Sequence, residues 1–442
     1  MRLLLLKEGI SLVFSTYDET LEWIHGTLRL GIKPGLSRME KMLELLGNPE
    51  TKTKWIHIAG TNGKGSTLTL MRSILELEGY RIGTFTSPYI ERFNERIAVN
   101  NVPVSDERII ELANRIFPIV EEVAKTDLGP PSEFEIITTM MFLNFAEYDE
   151  IDFGLIEVGL GGRLDSTNVL TPLISVITTI GLDHMEFLGN SIEEIAFEKG
   201  GIIKKGVPVV SGTTQPSVCK VLKEIANKNL TTIDFYGQSF ESQKIAKNKF
   251  TFHNQNQEFI DLKVSLNGDH QIQNASVAIQ ALLVLKQTNI FSLSNTAIYK
   301  GLSTAFWPGR FETIQGTPNF ILDGAHNPEG IQALVHNIQY EKDITLLISI
   351  LGDKDYETML QSLKEIKNIQ LYLTTFDYPR ALTFEEVEKI AKQFSIHAVP
   401  NWKEFIEQKK EEQLHHTIYV TGSLYFISEI RQFLLAHNSA SN

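Results

Sequence analysis

The feature that most constrains the fold is an alternation. Short apolar runs are each followed by glycine or polar residues and then by an amphipathic stretch. The runs Trp55–Gly60, Phe153–Val158, Leu173–Thr179 and Val207–Ser211 are apolar along most of their length, and Arg81–Thr86 reads as a further strand. Such runs suit strands buried on both faces of a parallel sheet. A helical pattern covers Ser66 to Leu77, and an Ala-rich one covers Gln271 to Gln287. Lys244–Val264 is polar and Asn/Gln-rich, which reads as a peripheral hairpin region. Trp307-Pro308-Gly309 breaks the pattern and marks a linker. Beyond it the alternation resumes through NFILDGA, ITLLISIL, IQLYLTTF and TIYVTGS. No solenoid-length repeat interrupts this order.

The chain has 442 residues. At roughly 100–200 residues per domain, that predicts two or three domains. A formal net charge of −13 disfavours general capture of nucleic acid. The single cysteine, Cys219, allows no intrachain disulfide and fits a reducing compartment. At the N-terminus, Leu3–Leu6 is short, Lys7 and Glu8 interrupt it, and no small-residue cleavage site follows. A signal peptide is therefore not expected. No stretch approaches the roughly 20 apolar residues that span a bilayer. The expected setting is cytoplasmic, with no membrane and no nucleic-acid partner. The terminal HNSASN is expected to fray.

The strongest local signal is Gly60-Thr61-Asn62-Gly63-Lys64-Gly65-Ser66-Thr67, between a predicted strand and a predicted helix. Glycines admit backbone N–H groups to phosphate oxygens, and the helix N-terminus adds a favourable dipole. Lys64 suits the β- and γ-phosphates, and Ser66 offers a hydroxyl near a metal. Ile58 stands where the usual spacing has its first glycine, so this is a shortened phosphate loop. The other reading of the segment is a strand-to-helix turn with no ligand. The fold class expected is α/β: an N-terminal P-loop mononucleotide-binding domain with a mostly parallel sheet, then a smaller Rossmann-like domain. The boundaries expected are 1–304, a hinge linker at 305–311, and 312–442.

Glu157 ends a predicted strand and precedes Gly159, Gly161 and Gly162. A carboxylate there faces the crevice where ligands bind, and Mg²⁺ prefers oxygen ligands. It also reads as a surface strand-end acid. Taken alone, Ser87 in Ser-Pro is a turn, His184 a turn residue, and Lys199 a helix-end lysine beside Glu198. Arg310 reads as an interdomain salt bridge or a phosphate fork, and Asp323-Gly324 as a turn.

HIAGTNGKGST followed by TSPYIERFNERI resembles the folylpolyglutamate synthase and dihydrofolate synthase group of the Mur ligase superfamily. The resemblance continues through SEFEIITTMMF, IEVGLGGRLDSTNV, TTIGLDHMEFLG, FEKGGIIK, GDHQIQNASVA, WPGRFE, ILDGAHNP, LGDKDY and TGSLYFIS. These blocks run in family order from about residue 17 to about residue 428. The resemblance implies ATP and two Mg²⁺ ions, with Ser87, Glu157, His184 and Lys199 as metal ligands. It implies carbamylation of Lys199, although Gly200 stands where the family commonly has alanine. It implies that Asn274 contacts adenine, that Arg310 and Asp323 bind nucleotide, and that His326 lies near the phosphates. Potassium stimulation and a monomer are also implied.

The activity implied is addition of L-glutamate to tetrahydrofolate polyglutamates through an acyl phosphate, and joining of glutamate to dihydropteroate. GLGGRLDSTN favours both activities, whereas SEFEIITTMMF resembles chains that mainly extend folates. Polyglutamylation alone is therefore the alternative. A peptidoglycan-precursor ligase would share the phosphate loop but lack TSPY…RFNERI and SEFE. A P-loop switch protein would leave DGAHNP, Glu157, His184 and Lys199 unexplained.

Overall fold

The computed structural model describes residues 13–27, 31, 34–412 and 417–439. The Leu3–Leu6 run lies outside the described residues, as do the last three residues of HNSASN. The part of that tail expected to fray is helical through Ser439, within Leu424–Ser439. Among the described residues, no helix is long and apolar enough to cross a membrane.

The chain divides into two compact units, residues 1–240 with 277–301, and residues 241–276 with 302–442. The first unit is built on an eight-stranded sheet of order β4-β3-β2-β5-β1-β6-β7-β8. Its strands are β1 Trp55–Ala59, β2 Ile82–Phe85, β3 Ile97–Val99, β4 Val102–Pro103, β5 Phe153–Glu157, β6 Ile174–Ile177, β7 Val209–Ser211 and β8 Ile233–Phe235. All pairings from β2 across to β8 are parallel; only β2–β3 and β3–β4 are antiparallel. β1, β2, β5, β6 and β7 are buried along their full lengths. That burial explains why apolar residues dominate them, with His57, Thr84, Glu157, Ser175 and Ser211 as buried polar exceptions.

Strand order sets the position of the site. The chain leaves β1 for β2 on one side, and leaves β6 for β7 on the other. The crevice beyond the carboxyl ends of β1 and β6 is thus the topological switch point. One apolar core joins Phe14, Trp55, Phe85, Ile109, Ile116, Met140 and Phe142. Another, with Ile177, Ile195, Ile202 and Leu222, lies beneath the loops that follow β5 and β6.

The second unit holds a six-stranded sheet of order β12-β13-β17-β14-β15-β16. Its strands are β12 Glu312–Ile314, β13 Phe320–Leu322, β14 Ile344–Ile348, β15 Ile369–Thr374, β16 His397–Val399 and β17 Ile418–Thr421. Every pairing but β12–β13 is parallel. The expected hairpin region is larger than a hairpin. β9 Phe240–Ala246, β10 Lys249–Asn254 and β11 Glu258–Lys263 form a three-stranded sheet. Two strands alone are marginal in water, and the third supplies Phe259 and Leu262 to bury Phe250 and Phe252. Both expected layers of the fold class, mostly parallel sheet and second α/β unit, are present.

Candidate functional site

The phosphate loop follows β1 directly and leads into the Lys64–Leu77 helix. Gly60 has φ +148° and Gly63 φ +86°, a region that favours glycine. A Cβ on Gly60 would lie 1.9 Å from Thr178 Oγ1. The segment after β6 holds the loop from the other side. Thr61 N–H donates to Thr179 O at 2.7 Å, and Asn62 N–H to Thr179 Oγ1 at 3.1 Å. The Thr178 hydroxyl donates to Asn62 O at 2.6 Å, and Gly181 N–H to Thr61 Oγ1 at 3.0 Å. The helical ladder opens with Thr67 N–H to Gly63 O, so the amides of Lys64, Gly65 and Ser66 precede it. Those three amides sit at the positive end of the helix dipole.

Two lysines meet at this loop. Lys64 Nζ donates to Gly60 O at 3.1 Å and to Thr61 O at 3.3 Å. Lys199 Nζ, from the Ile192–Gly200 helix, donates to the same Gly60 O at 3.1 Å. Lys199 is only 5% exposed. Its neighbour Glu198 pairs with Arg163 at 2.8 Å.

Glu157 ends β5 in register with Ile58 on β1. It is 6% exposed, and its Oε1 lies 3.9 Å from Lys64 Nζ. Its Oε2 accepts a long bond from Ser87 N–H at 3.4 Å. The structure thus brings Lys64, Lys199, Glu157 and the Ser87 segment to the phosphate loop. Phe134 lies against the loop after Glu157, where a Cβ on Gly159 would come within 2.4 Å of its ring.

His184 has φ +50° and leads into the short Met185–Leu188 helix. Its Nε2 is 3.9 Å from Asp183, and its side chain is 37% exposed. Among the described residues, no three His, Cys, Asp or Glu side chains converge as a metal cage. A Mg²⁺ ion at this loop must therefore draw on water and phosphate oxygens as well, which is its habit. The hard oxygen donors of Glu157 and Ser87 fit that demand. A cationic Lys199 does not; only its carbamate would.

The remaining residues lie in the second unit. Gly309 N–H donates to Glu312 Oε2, Gly324 N–H to Gly309 O, and Phe311 N–H to Asp323 Oδ2. Arg310 is thereby fixed beside Asp323, whose Oδ1 accepts from Ala325 N–H. A Cβ on Gly324 would lie 3.2 Å from an Arg310 nitrogen. His326 Nδ1 bonds Gly324 O at 2.8 Å, which leaves the lone pair of a neutral ring on Nε2. Asn274 is buried and donates to Gln271 Oε1 at 3.0 Å.

His270 was not singled out by sequence reasoning. Burial holds its pKa down, as does the charge of Arg310, while Asp323 and Asp269 pull it up. Its only signal was membership of the GDHQ block. Asp165 and Thr167 lie two residues apart, but their link to His57 was passed over because His57 stands 110 residues before Thr167 in the chain.

A parallel sheet with a glycine-rich loop at its switch point defines the class of phosphate-loop α/β proteins. Within that class, the Mur ligase middle domain family matches residues 58–282. The Mur ligase glutamate ligase domain family matches residues 309–424. The dihydrofolate synthase/folylpolyglutamate synthase of Bacillus subtilis is 43% identical over 96% of this chain and all of its own. The folylpolyglutamate synthase of Thermotoga maritima superposes with a TM-score of 0.83 at 36% identity, covering 95% of this chain and 96% of its own. The Mycobacterium tuberculosis folylpolyglutamate synthase, complexed with ADP and AMPPCP, gives a TM-score of 0.85 at 28% identity, covering 95% of this chain and 99% of its own. The chain belongs to the folylpolyglutamate synthase/dihydrofolate synthase family of Mur ligases, as its sequence blocks implied.

Proposed function

We propose that this chain is an ATP-dependent ligase that joins L-glutamate to a folate carboxylate through an acyl phosphate. The observation that carries the proposal is the meeting of Lys64 and Lys199 on Gly60 O, beside buried Glu157, at the mouth of a phosphate loop.

The γ-phosphoryl group moves from ATP to a carboxylate oxygen, and ADP leaves. The glutamate amine, having lost a proton, attacks the acyl carbon. The tetrahedral adduct collapses to amide and phosphate. Negative charge crowds each step, so donors fixed in advance do most of the work. Lys64 and the amides of Gly63, Gly65 and Ser66 cradle the phosphates, with Thr61 and Asn62 shaping the loop. Bound Mg²⁺, held through Glu157 and Ser87, would supply charge neutralisation at the phosphates. A second ion is assigned to His184 and the carbamate of Lys199. Asn274, Arg310 and Asp323 are assigned to the nucleotide. His326 Nε2 is the candidate acceptor for the amine proton.

The lysine pair gives carbamylation a physical motive. Two ammonium groups on one carbonyl repel each other. When neutral Lys199 adds CO₂ and releases a proton, that repulsion becomes attraction to Lys64. We further propose potassium activation, a cytoplasmic monomer, and a hinge at 305–311.

Dihydropteroate is proposed as a second acceptor beside tetrahydrofolate, on the strength of the bifunctional Bacillus relative. Purified protein assayed with each acceptor, with ATP and labelled glutamate, tests both claims. Incorporation with tetrahydrofolate alone would leave polyglutamylation as the sole activity. No incorporation with either would end the proposal.

A further inference from the structure

Beneath the loop that follows Glu157 lies a chain of three buried polar side chains. His57 points from β1, Thr167 stands in the Ser166–Val169 turn, and Asp165 caps that turn. His57 and Thr167 are fully buried, and Asp165 is 5% exposed. His57 Nε2 lies 2.8 Å from Thr167 Oγ1. The Thr167 hydroxyl donates its one proton to Asp165 Oδ1. The His57–Thr167 bond must therefore run from His57 Nε2–H to the Thr167 oxygen. His57 Nδ1 is then an unprotonated nitrogen, buried without a hydrogen-bond partner.

Asp165 passes this order on to the backbone. Its Oδ2 accepts from Leu160 N–H at 2.8 Å, and its Oδ1 from Thr167 N–H at 3.0 Å. Leu160 lies three residues beyond Glu157. The same stretch is locked to the helix that carries Lys199. Arg163 N–H donates to Glu198 O at 2.7 Å, and Asn168 Nδ2 donates to both Arg163 O and Gly201 O at 3.1 Å. Gly162 sits so close that a Cβ would be 2.9 Å from the carbonyl oxygens of Glu198 and Lys199. The β1 strand that holds His57 runs straight into the phosphate loop.

We propose that His57, Thr167 and Asp165 form a positioning relay that keeps Glu157 and Lys199 in register with the phosphate loop. The inference rests on the ligase reading for its effect on turnover, though not for its effect on loop order. None of the three residues needs to touch substrate. A buried polar chain with its donors satisfied in one direction fixes a single arrangement, whereas an apolar filling would leave the loop free to shift.

Thr167→Val keeps the side-chain shape and removes the hydroxyl; Thr167→Ser keeps the hydroxyl. Thr167→Val should lower kcat about tenfold, the scale of one buried hydrogen bond, with KM for glutamate changed less than about twofold. Amide exchange across residues 158–164 should quicken by a similar factor. Thr167→Ser should restore both. If Thr167→Val does not fold, His57→Gln and His57→Leu make the same comparison, because only the glutamine amide can donate in place of Nε2–H. Thr167→Val matching the unsubstituted protein in kcat and exchange would overturn the relay, as would serine failing as badly as valine. Exchange needs no turnover, so an inactive unsubstituted protein would sink the ligase reading while exchange still judged the relay.

Discussion

Replacing Gly60 by alanine puts a methyl group where Thr178 already stands. The new Cβ would lie 1.9 Å from Thr178 Oγ1 and 3.1 Å from Thr178 N, on a residue whose φ is +148°. Holding a side chain in that backbone region costs about 1–3 kcal/mol. Driving Thr178 aside also breaks its hydroxyl bond to Asn62 O, worth about 1 kcal/mol. The single substitution should therefore cost about 2–4 kcal/mol in chemical unfolding. ADP binding, followed by titration calorimetry, should weaken as well, because Asn62 shapes the loop that leads to the amides of Lys64, Gly65 and Ser66. Thr178→Ala alone should cost about 1 kcal/mol. The double variant should cost less than the sum of the two by about 1 kcal/mol, since the hydroxyl is then already gone when the methyl arrives. Strict additivity would refute the argument, as it would show that the methyl does not meet Thr178. Full ADP affinity in Gly60→Ala would refute it more broadly.

Other tests follow from the same geometry. Removing CO₂ from the buffer should lower turnover, bicarbonate should restore it, and ¹³C-bicarbonate should give a carbamate signal that Lys199→Ala abolishes. Burial, with a smaller contribution from Lys204, holds the His57 pKa down at about 3 against an ordinary 6.5. Between those values the unfolded chain binds a proton that the folded chain does not. Stability should then be full above about pH 6.5 and fall as pH drops, by about 2 kcal/mol at about pH 5. Unfolding midpoints for His57→Gln should lose most of that slope. Replacing Pro308-Gly309 with alanines should lower kcat about tenfold for about 1 kcal/mol of stability; loss of fold with no separate kinetic defect would count against the hinge.

The strands were legible because burial on both faces writes short, mostly apolar runs between glycine-rich or polar breaks. The β1 run, expected to end at Gly60, ends at Ala59, and the expected Phe153–Val158 run became Phe153–Glu157. The helix after the phosphate loop begins at Lys64, two residues before the apolar period starts at Ser66. Its first turn faces the loop and carries no hydrophobic signal. Glu133–Leu143 was read as a motif and not as a helix. From Glu135 to Leu143 every residue is buried, which erases the amphipathic period. Asp106–Ala124 did carry that period, with Ile109, Leu112, Ile116, Val120 and Val123 on its buried face. At the site, Gly60 and Lys64 declared themselves by local spacing. The convergence of Lys199 on Gly60 O, and of His57 on Thr167, joins positions 139 and 110 residues apart. Only strand order brings such residues together.

The most direct test of the central claim follows an oxygen atom. Tetrahydrofolate whose terminal γ-carboxylate carries heavy oxygen is turned over with ATP and glutamate, and the released phosphate is weighed by mass spectrometry. An acyl phosphate requires one labelled oxygen in each phosphate. Unlabelled phosphate released in step with amide formation would mean that the carboxylate was never phosphorylated.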